Sequence, residues 1–183
     1  MAVSLLAVSG SAFAKGVPSP KDFLGADVCS DYTLFNYRQL VDYWKELERS
    51  SDRIKVVSIG KTDEGREQYM CIITDPSNMR NLEEIRKGNE RLARARDFKS
   101  DSEARELARK QKAVVWIDGG LHATETLESQ HLIEQAYQLV SRTDEENNRI
   151  LRDCVILLVH ANPDGHDLVA DWYMRKENPT ERS

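Results

Sequence analysis

His122 and Glu125 are the residues of this chain whose types and spacing most clearly suggest chemistry. They stand three positions apart in Gly119-Gly120-Leu121-His122-Ala123-Thr124-Glu125, which follows the apolar run Ala113 to Ile117 after Asp118. A borderline divalent metal such as zinc accepts the nitrogen of an imidazole and the oxygen of a carboxylate. In catalytic sites its tetrahedral set keeps one position for water. Two donors do not complete such a set, so a third ligand, a proton-moving base and substrate-holding groups have to come from elsewhere. On residue type alone another use stays open: a hydrogen-bonded histidine beside an acidic residue in the first turn of a helix, where the macrodipole favours negative charge.

The elements that position this pair follow from periodicity. From Thr33 to Arg49 the apolar residues Leu34, Tyr37, Leu40, Val41, Trp44 and Leu47 recur at steps of three and four, which predicts a helix capped by Asp31 or Thr33. Ile54 to Ile59 and Gln68 to Thr74 read as strands joined by the polar, glycine-bounded stretch Gly60 to Gly65, a hairpin pattern, with Asp75-Pro76-Ser77-Asn78 ending the second. The charged region after Asn78 predicts two exposed helices, the second opened by a Ser100/Glu103 capping box. Ala113 to Ile117 reads as a buried strand, Glu125 to Ser141 as a helix, and Thr143/Glu146 as the box opening a short helix to Leu151. Cys154 to Val159 is the most apolar strand, Asn162 to Gly165 a turn, and the polar tail from Ala170 shows no closing helix or strand. Strands alternating with helices imply an α/β layer structure with a largely buried sheet, in which ligands collect beyond the carboxyl ends of strands. His122 and the Asn162 turn both lie just past such ends.

Composition sets the outer limits. The chain has 183 residues, 40% of them hydrophobic and 31% charged, as expected of one globular domain. Its net charge of -5 argues against nucleic acid as a partner, and the basic residues between Met79 and Lys112 are interleaved with acidic ones, as on solvated helix faces. Val3 to Ala14 is apolar or small and ends in Ala12-Phe13-Ala14, the pattern of a partial signal peptide over residues 1–14, followed by a linker over 15–30. A secreted or periplasmic location follows, without stable membrane insertion because the run is too short to span a bilayer. Cys29, Cys71 and Cys154 show no metal-binding spacing and read equally as buried free thiols or as one pair with one left over.

Taken together, His122-Ala123-Thr124-Glu125 after Gly119-Gly120, then Asn162-Pro163-Asp164-Gly165, then Trp172-Tyr173-Met174-Arg175-Lys176 resemble the M14 zinc carboxypeptidases. The Thr33 to Tyr37 helix start and the Ser58 to Arg66 hairpin resemble that family's opening, so the likeness runs from about Asp31 to Arg175 in the family's order. It implies an α/β fold, a three-layer α/β/α arrangement with a mixed, mostly buried sheet, of which residues 31–183 are the N-terminal part of the catalytic domain. It also implies Zn2+ as cofactor, a peptide or peptide-like substrate, and hydrolysis of C-terminal peptide or related amide bonds by metal-activated water. By the same resemblance His122 and Glu125 are two zinc ligands, and Arg175 is the arginine that stabilises the oxyanion. The family's third ligand, its Asn-Arg pair for the substrate carboxylate and its general-base glutamate have no counterparts here, so the fragment alone is expected to be inactive. Asn148-Arg149 lies in a predicted surface helix, and His160 and His166, flanking the Asn162 turn, read as packed residues. Two alternatives stand beside this reading. One is a non-catalytic peptide- or cell-wall-binding module on the same scaffold; the other, a serine hydrolase, lacks a Gly-x-Ser-x-Gly elbow. Substrate side-chain preference and oligomeric state are not legible.

Overall fold

In a computed structural model that describes residue 14 and residues 16–182, the chain forms α1 (Pro20–Leu24), α2 (Tyr37–Ser50), β1 (Ile54–Lys61), β2 (Glu67–Ile73), α3 (Pro76–Arg80), α4 (Leu82–Ala93), α5 (Asp101–Lys110), β3 (Ala113–Gly119), α6 (Thr126–Ser141), α7 (Glu145–Asp153), β4 (Cys154–His160) and α8 (Pro163–Met174). The signal-like run at residues 3–14 lies outside the described residues except for Ala14. None of the described helices is long and apolar enough to cross a membrane.

Local chemistry explains where these elements start. The first long helix begins at Tyr37, later than its apolar spacing predicts, because Asn36 caps it. Asn36 Oδ1 accepts from Gln39 N at 3.0 Å while Gln39 Oε1 accepts from Asn36 N at 2.9 Å, a reciprocal box that neither Asp31 nor Thr33 forms. Asp75-Pro76 does more than end a strand: Asp75 Oδ1 accepts from Ser77 N at 2.8 Å and opens the short α3. Before α5, Ser100 caps as expected, but Glu103 reaches back to Lys99 N. Asp144, not Thr143, caps α7 by accepting from Asn147 N at 3.1 Å, a carboxylate serving the exposed N–H groups better than a hydroxyl one residue too early.

The sheet order is β1-β2-β4-β3, with β2 antiparallel to both its neighbours and β3 parallel to β4, so the sheet is mixed. A parallel pair needs a crossover, which α6 and α7 supply. On one face α2 and α6 bury Leu40, Trp44, Leu47, Leu132, Ile133 and Val140 against Ile73, Ile156 and Leu158. On the other, Leu82 and Ile85 of α4 face Met70, Ile72 and Leu157 across a cavity of about 480 Å³. The result is an α/β/α layering.

Burial within the sheet departs from expectation at one strand. The run Ala113 to Ile117 was expected to be buried; in β3, an edge strand paired on β4 alone among the described residues, Trp116 is 56% exposed and Val114 47%. Strand burial is concentrated instead in β4 and the end of β2. Cys71 is a buried free thiol, while Cys154 is half-buried and Cys29 exposed, both also free.

Trp44 is fully buried where α2 meets the sheet and α6. Trp44→Ala is expected to lower the unfolding free energy by about 3–5 kcal/mol. Denaturant unfolding checks this, and a loss near zero would show that the α2 seam does not carry the core.

Candidate metal centre

The parallel register brings Gly119 opposite His160, so β3 and β4 end side by side and the loops that follow them are neighbours. Those loops are then joined atom by atom. Ala161 N donates to Gly119 O at 2.9 Å, and Asn162 Nδ2 donates to Leu121 O at 3.1 Å. Gly120 N donates to Glu128 Oε2 at 3.2 Å. Gly120 has φ +72, and a Cβ there would lie 2.5 Å from Ser129 Oγ and 2.6 Å from His160 Nε2, so only glycine fits both the left-handed backbone and the space. A Cβ on Gly165 would come within 2.8 Å of Ala123, which shows how closely the start of α8 presses on the same turn.

On this framed turn His122 Nδ1 lies 2.8 Å from Glu125 Oε2, and Glu125 N donates to His122 O at 3.0 Å. Both side chains are exposed. Their spacing thus yields one convergent nitrogen and oxygen pair open to solvent, of the donor chemistry that zinc accepts. Among the described residues no group of three or more His, Cys, Asp or Glu side chains is placed to hold a metal, so this is a pair of donors. Beside it, a groove of about 550 Å³ runs from Thr124 past Leu127, Trp172 and Tyr173 to Tyr32 and Leu34.

Arg175 stands at the C-terminal end of α8, exposed, its N–H donating to Trp172 O. The twelve residues of α8 rise about 18 Å, so Arg175 and the His122 turn meet opposite ends of this helix. His131 is exposed, as its place on the polar margin of α6 suggests.

Helix α8 is the element that sequence reading missed. Asn162-Pro163-Asp164-Gly165 was expected to be a turn and the tail from Ala170 to lack a helix. In fact Asn162 Oδ1 accepts from Gly165 N at 2.9 Å, Pro163 occupies the first helical position, and the helix runs on to Met174. The legible signal was the cap followed by Asp164, Asp167 and Asp171, which share a face at steps of three and four. These carboxylates are anchors. Asp164 accepts from Thr62 Oγ1 and Arg66 Nη1, Asp167 from Arg66 Nε and Tyr37 N, and Asp171 from Asn36 Nδ2. Burial works against the Asp164 carboxylate, but the bonds from Thr62 and Arg66 outweigh it and hold it below the usual range.

Beneath the turn lie two buried histidines. His160 stacks on His166 with centroids 4.6 Å apart and rings parallel within 1°, Tyr37 meets its edge, and its Nε2 is 2.9 Å from Ser129 Oγ. Gln130 holds Phe35 through both its backbone groups and lies 3.4 Å from His166 Nε2. Burial, reinforced by the neighbouring His166, pushes His160 down from 6.5 to about 3, and burial lowers His166 as well. In the unfolded chain both would take up protons near pH 6.5, whereas the folded His160 does not until about pH 3. Stability is therefore complete above pH 6.5 and falls below it, by up to about 1.4 kcal/mol per pH unit for each such histidine. Unfolding free energies measured between pH 7.5 and 5 should show this slope and a shallower one in His160→Gln; a flat profile would mean that His160 is protonated in the fold.

Comparison with known proteins adds three findings. The sequence model of the zinc carboxypeptidase family matches residues 40–182. No individually curated protein matches the chain. Among solved structures, carboxypeptidase A from Helicoverpa armigera superposes with a TM-score of 0.51 at 18% identity, over 80% of this chain and 31% of that one. Thrombin activatable fibrinolysis inhibitor (TAFI) superposes with a TM-score of 0.51 at 14% identity, over 83% of this chain and 32% of that one. At these identities the likeness to both is one of fold, and the chain spans about a third of the length of either.

Proposed function

The chain belongs to the zinc carboxypeptidase family, and from that premise we propose that it contributes to a zinc-dependent metallopeptidase that hydrolyses C-terminal peptide or related amide bonds. The observation that carries the proposal is the 2.8 Å approach of His122 Nδ1 to Glu125 Oε2 on a solvent-open turn beyond two strand ends. Both donors suit zinc, which takes an imidazole nitrogen and a carboxylate oxygen. Bound there, zinc supplies Lewis-acid polarisation of a carbonyl and a water acidic enough to react near neutral pH.

His122 and Glu125 hold the ion, and Gly120, Asn162 and Gly165 hold the turn that carries them. Arg175 is assigned the oxyanion by the family resemblance and not by its position, since it stands at the far end of α8 from the His122 turn. The role requires its guanidinium, always charged and able to give two parallel donors, to be brought to the metal. Among the described residues no third ligand joins this pair, and the group that moves protons and the residues that grip the substrate carboxylate are not assigned. The apolar run Val3 to Ala14 supports export to a secreted or periplasmic location, where the substrate is a peptide or peptide-like chain.

Zinc titration of the complete natural protein tests the ligands. His122→Ala and Glu125→Ala should each weaken zinc binding by more than about a hundredfold, beyond what loss of an outer partner costs. Unchanged affinity in both variants would end the assignment. A complete protein that binds peptides in zinc but never cleaves them would favour a binding module instead.

Arg175 is tested by kinetics. Arg175→Ala should lower kcat by about 10²- to 10³-fold with little change in KM, the signature of a donor used mainly in the transition state. An unchanged kcat would transfer the oxyanion role to another residue.

A further inference from the structure

Ser129 and His160 have no part in the proposed chemistry, yet they form a hydrogen-bonded pair directly under the backbone of the metal turn. Ser129 lies in the first turns of α6 and is 3% exposed, and His160 ends β4 and is fully buried. Their contact at 2.9 Å bridges the helix that begins after Glu125 and the strand that ends opposite Gly119. Gly120 rests on both partners, since a Cβ there would meet Ser129 Oγ, His160 Nε2 and His160 Cε1 within 2.7 Å. His160 cannot swing aside, being held by the parallel ring of His166 on its face and by Tyr37 at its edge. His166 is itself 1% exposed, and Gln130, which clamps Phe35, lies against it.

From this arrangement we infer that Ser129 and His160 are positioning residues for the His122–Glu125 pair, setting the height of Gly120 and so the reach of the imidazole two residues later. The inference rests on the reading of His122 and Glu125 as zinc ligands. A purely apolar pair at these positions would fill the same space, but its contacts lack direction. The hydrogen bond fixes both separation and angle, and metal sites need ligands held within about 0.5 Å of the working geometry. The other restraints on the turn act on other atoms: Glu128 on Gly120 N, Ala161 on Gly119 O and Asn162 on Leu121 O. Among the described residues, Ser129 and His160 supply the three heavy atoms nearest to where a Cβ on Gly120 would lie.

The test measures zinc affinity, by competition with a chromophoric chelator, together with the unfolding midpoint of the metal-free protein, in Ser129→Ala, His160→Leu, His160→Gln and His122→Ala. All are compared at a temperature where circular dichroism shows them folded. Ser129→Ala and His160→Leu are expected to weaken zinc binding about tenfold, and His160→Gln, whose amide can still bond Ser129, to recover most of it. A role in core stability alone would shift the midpoint and leave zinc affinity at the wild-type value, which would overturn the inference. If His160→Leu does not fold, Ser129→Ala decides. If His122→Ala also binds zinc normally, the ligand reading itself has failed; normal binding in Ser129→Ala and His160→Leu beside loss in His122→Ala refutes the positioning role alone.

Discussion

The parallel pairing of β3 with β4 is the constraint on which the rest of this structure depends. Parallel strands end on the same side, and the register that sets Gly119 opposite His160 makes their following loops meet. One loop carries His122 and Glu125, and the other starts a helix whose cap, Asn162, reaches across to Leu121 O. Had the strands been antiparallel, the two loops would lie at opposite ends of the sheet and the turn would lose its second wall. The crossover through α6 pays twice, completing the parallel pair and delivering Ser129 and Glu128 beneath Gly120.

Charge performs a different task at the other edge of the same region. Asp164, Asp167 and Asp171 on one face of α8 take donors from the β1–β2 hairpin and from the start of α2. Arg66 is the centre of this set, paired with Glu64, Asp164 and Asp167 while only about a third exposed. Partly screened pairs of this kind contribute modestly to stability, but several converging on one guanidinium fix orientation. Here they orient the helix whose first turn presses on Ala123. The uncharged His160–His166 stack sits in the opposite regime, buried and neutral, where a proton would cost more than the fold can return.

Much of this was legible in residue patterns, and the misses share one cause. Helices α2 and α6 followed from periodicity because one face of each is buried, and burial is what periodicity records. Strand β4 followed from its unbroken apolar run, and the charged helices, which bury no residue fully, from their charge pattern and the Ser100 cap. The ends were less legible: Asn36 and Asp144 displaced the expected caps because several neighbouring polar residues could cap each helix, and packing chose among them. The strand β3 looked buried because its apolar run is what a covered strand would carry, yet exposure depends on what lies beside it. The polar tail hid α8 because that helix is held largely by ion pairs and caps on distant segments, which leave little apolar stripe to read.

For the candidate site, the sequence by itself determined the chemistry on offer. An imidazole and a carboxylate three residues apart after two glycines can converge through local backbone geometry alone, and ordered motifs around them indicated the family. Tertiary structure decided what that pair rests on. Gly120 must be glycine because of Ser129 and His160, residues 9 and 40 positions away, and the turn is closed by Asn162 and Gly165, further still. Contacts of that length are made only when the sheet pairs and the helices pack, so no local pattern can state them. Thus the donors belong to the sequence, while their height, aim and exposure belong to the fold.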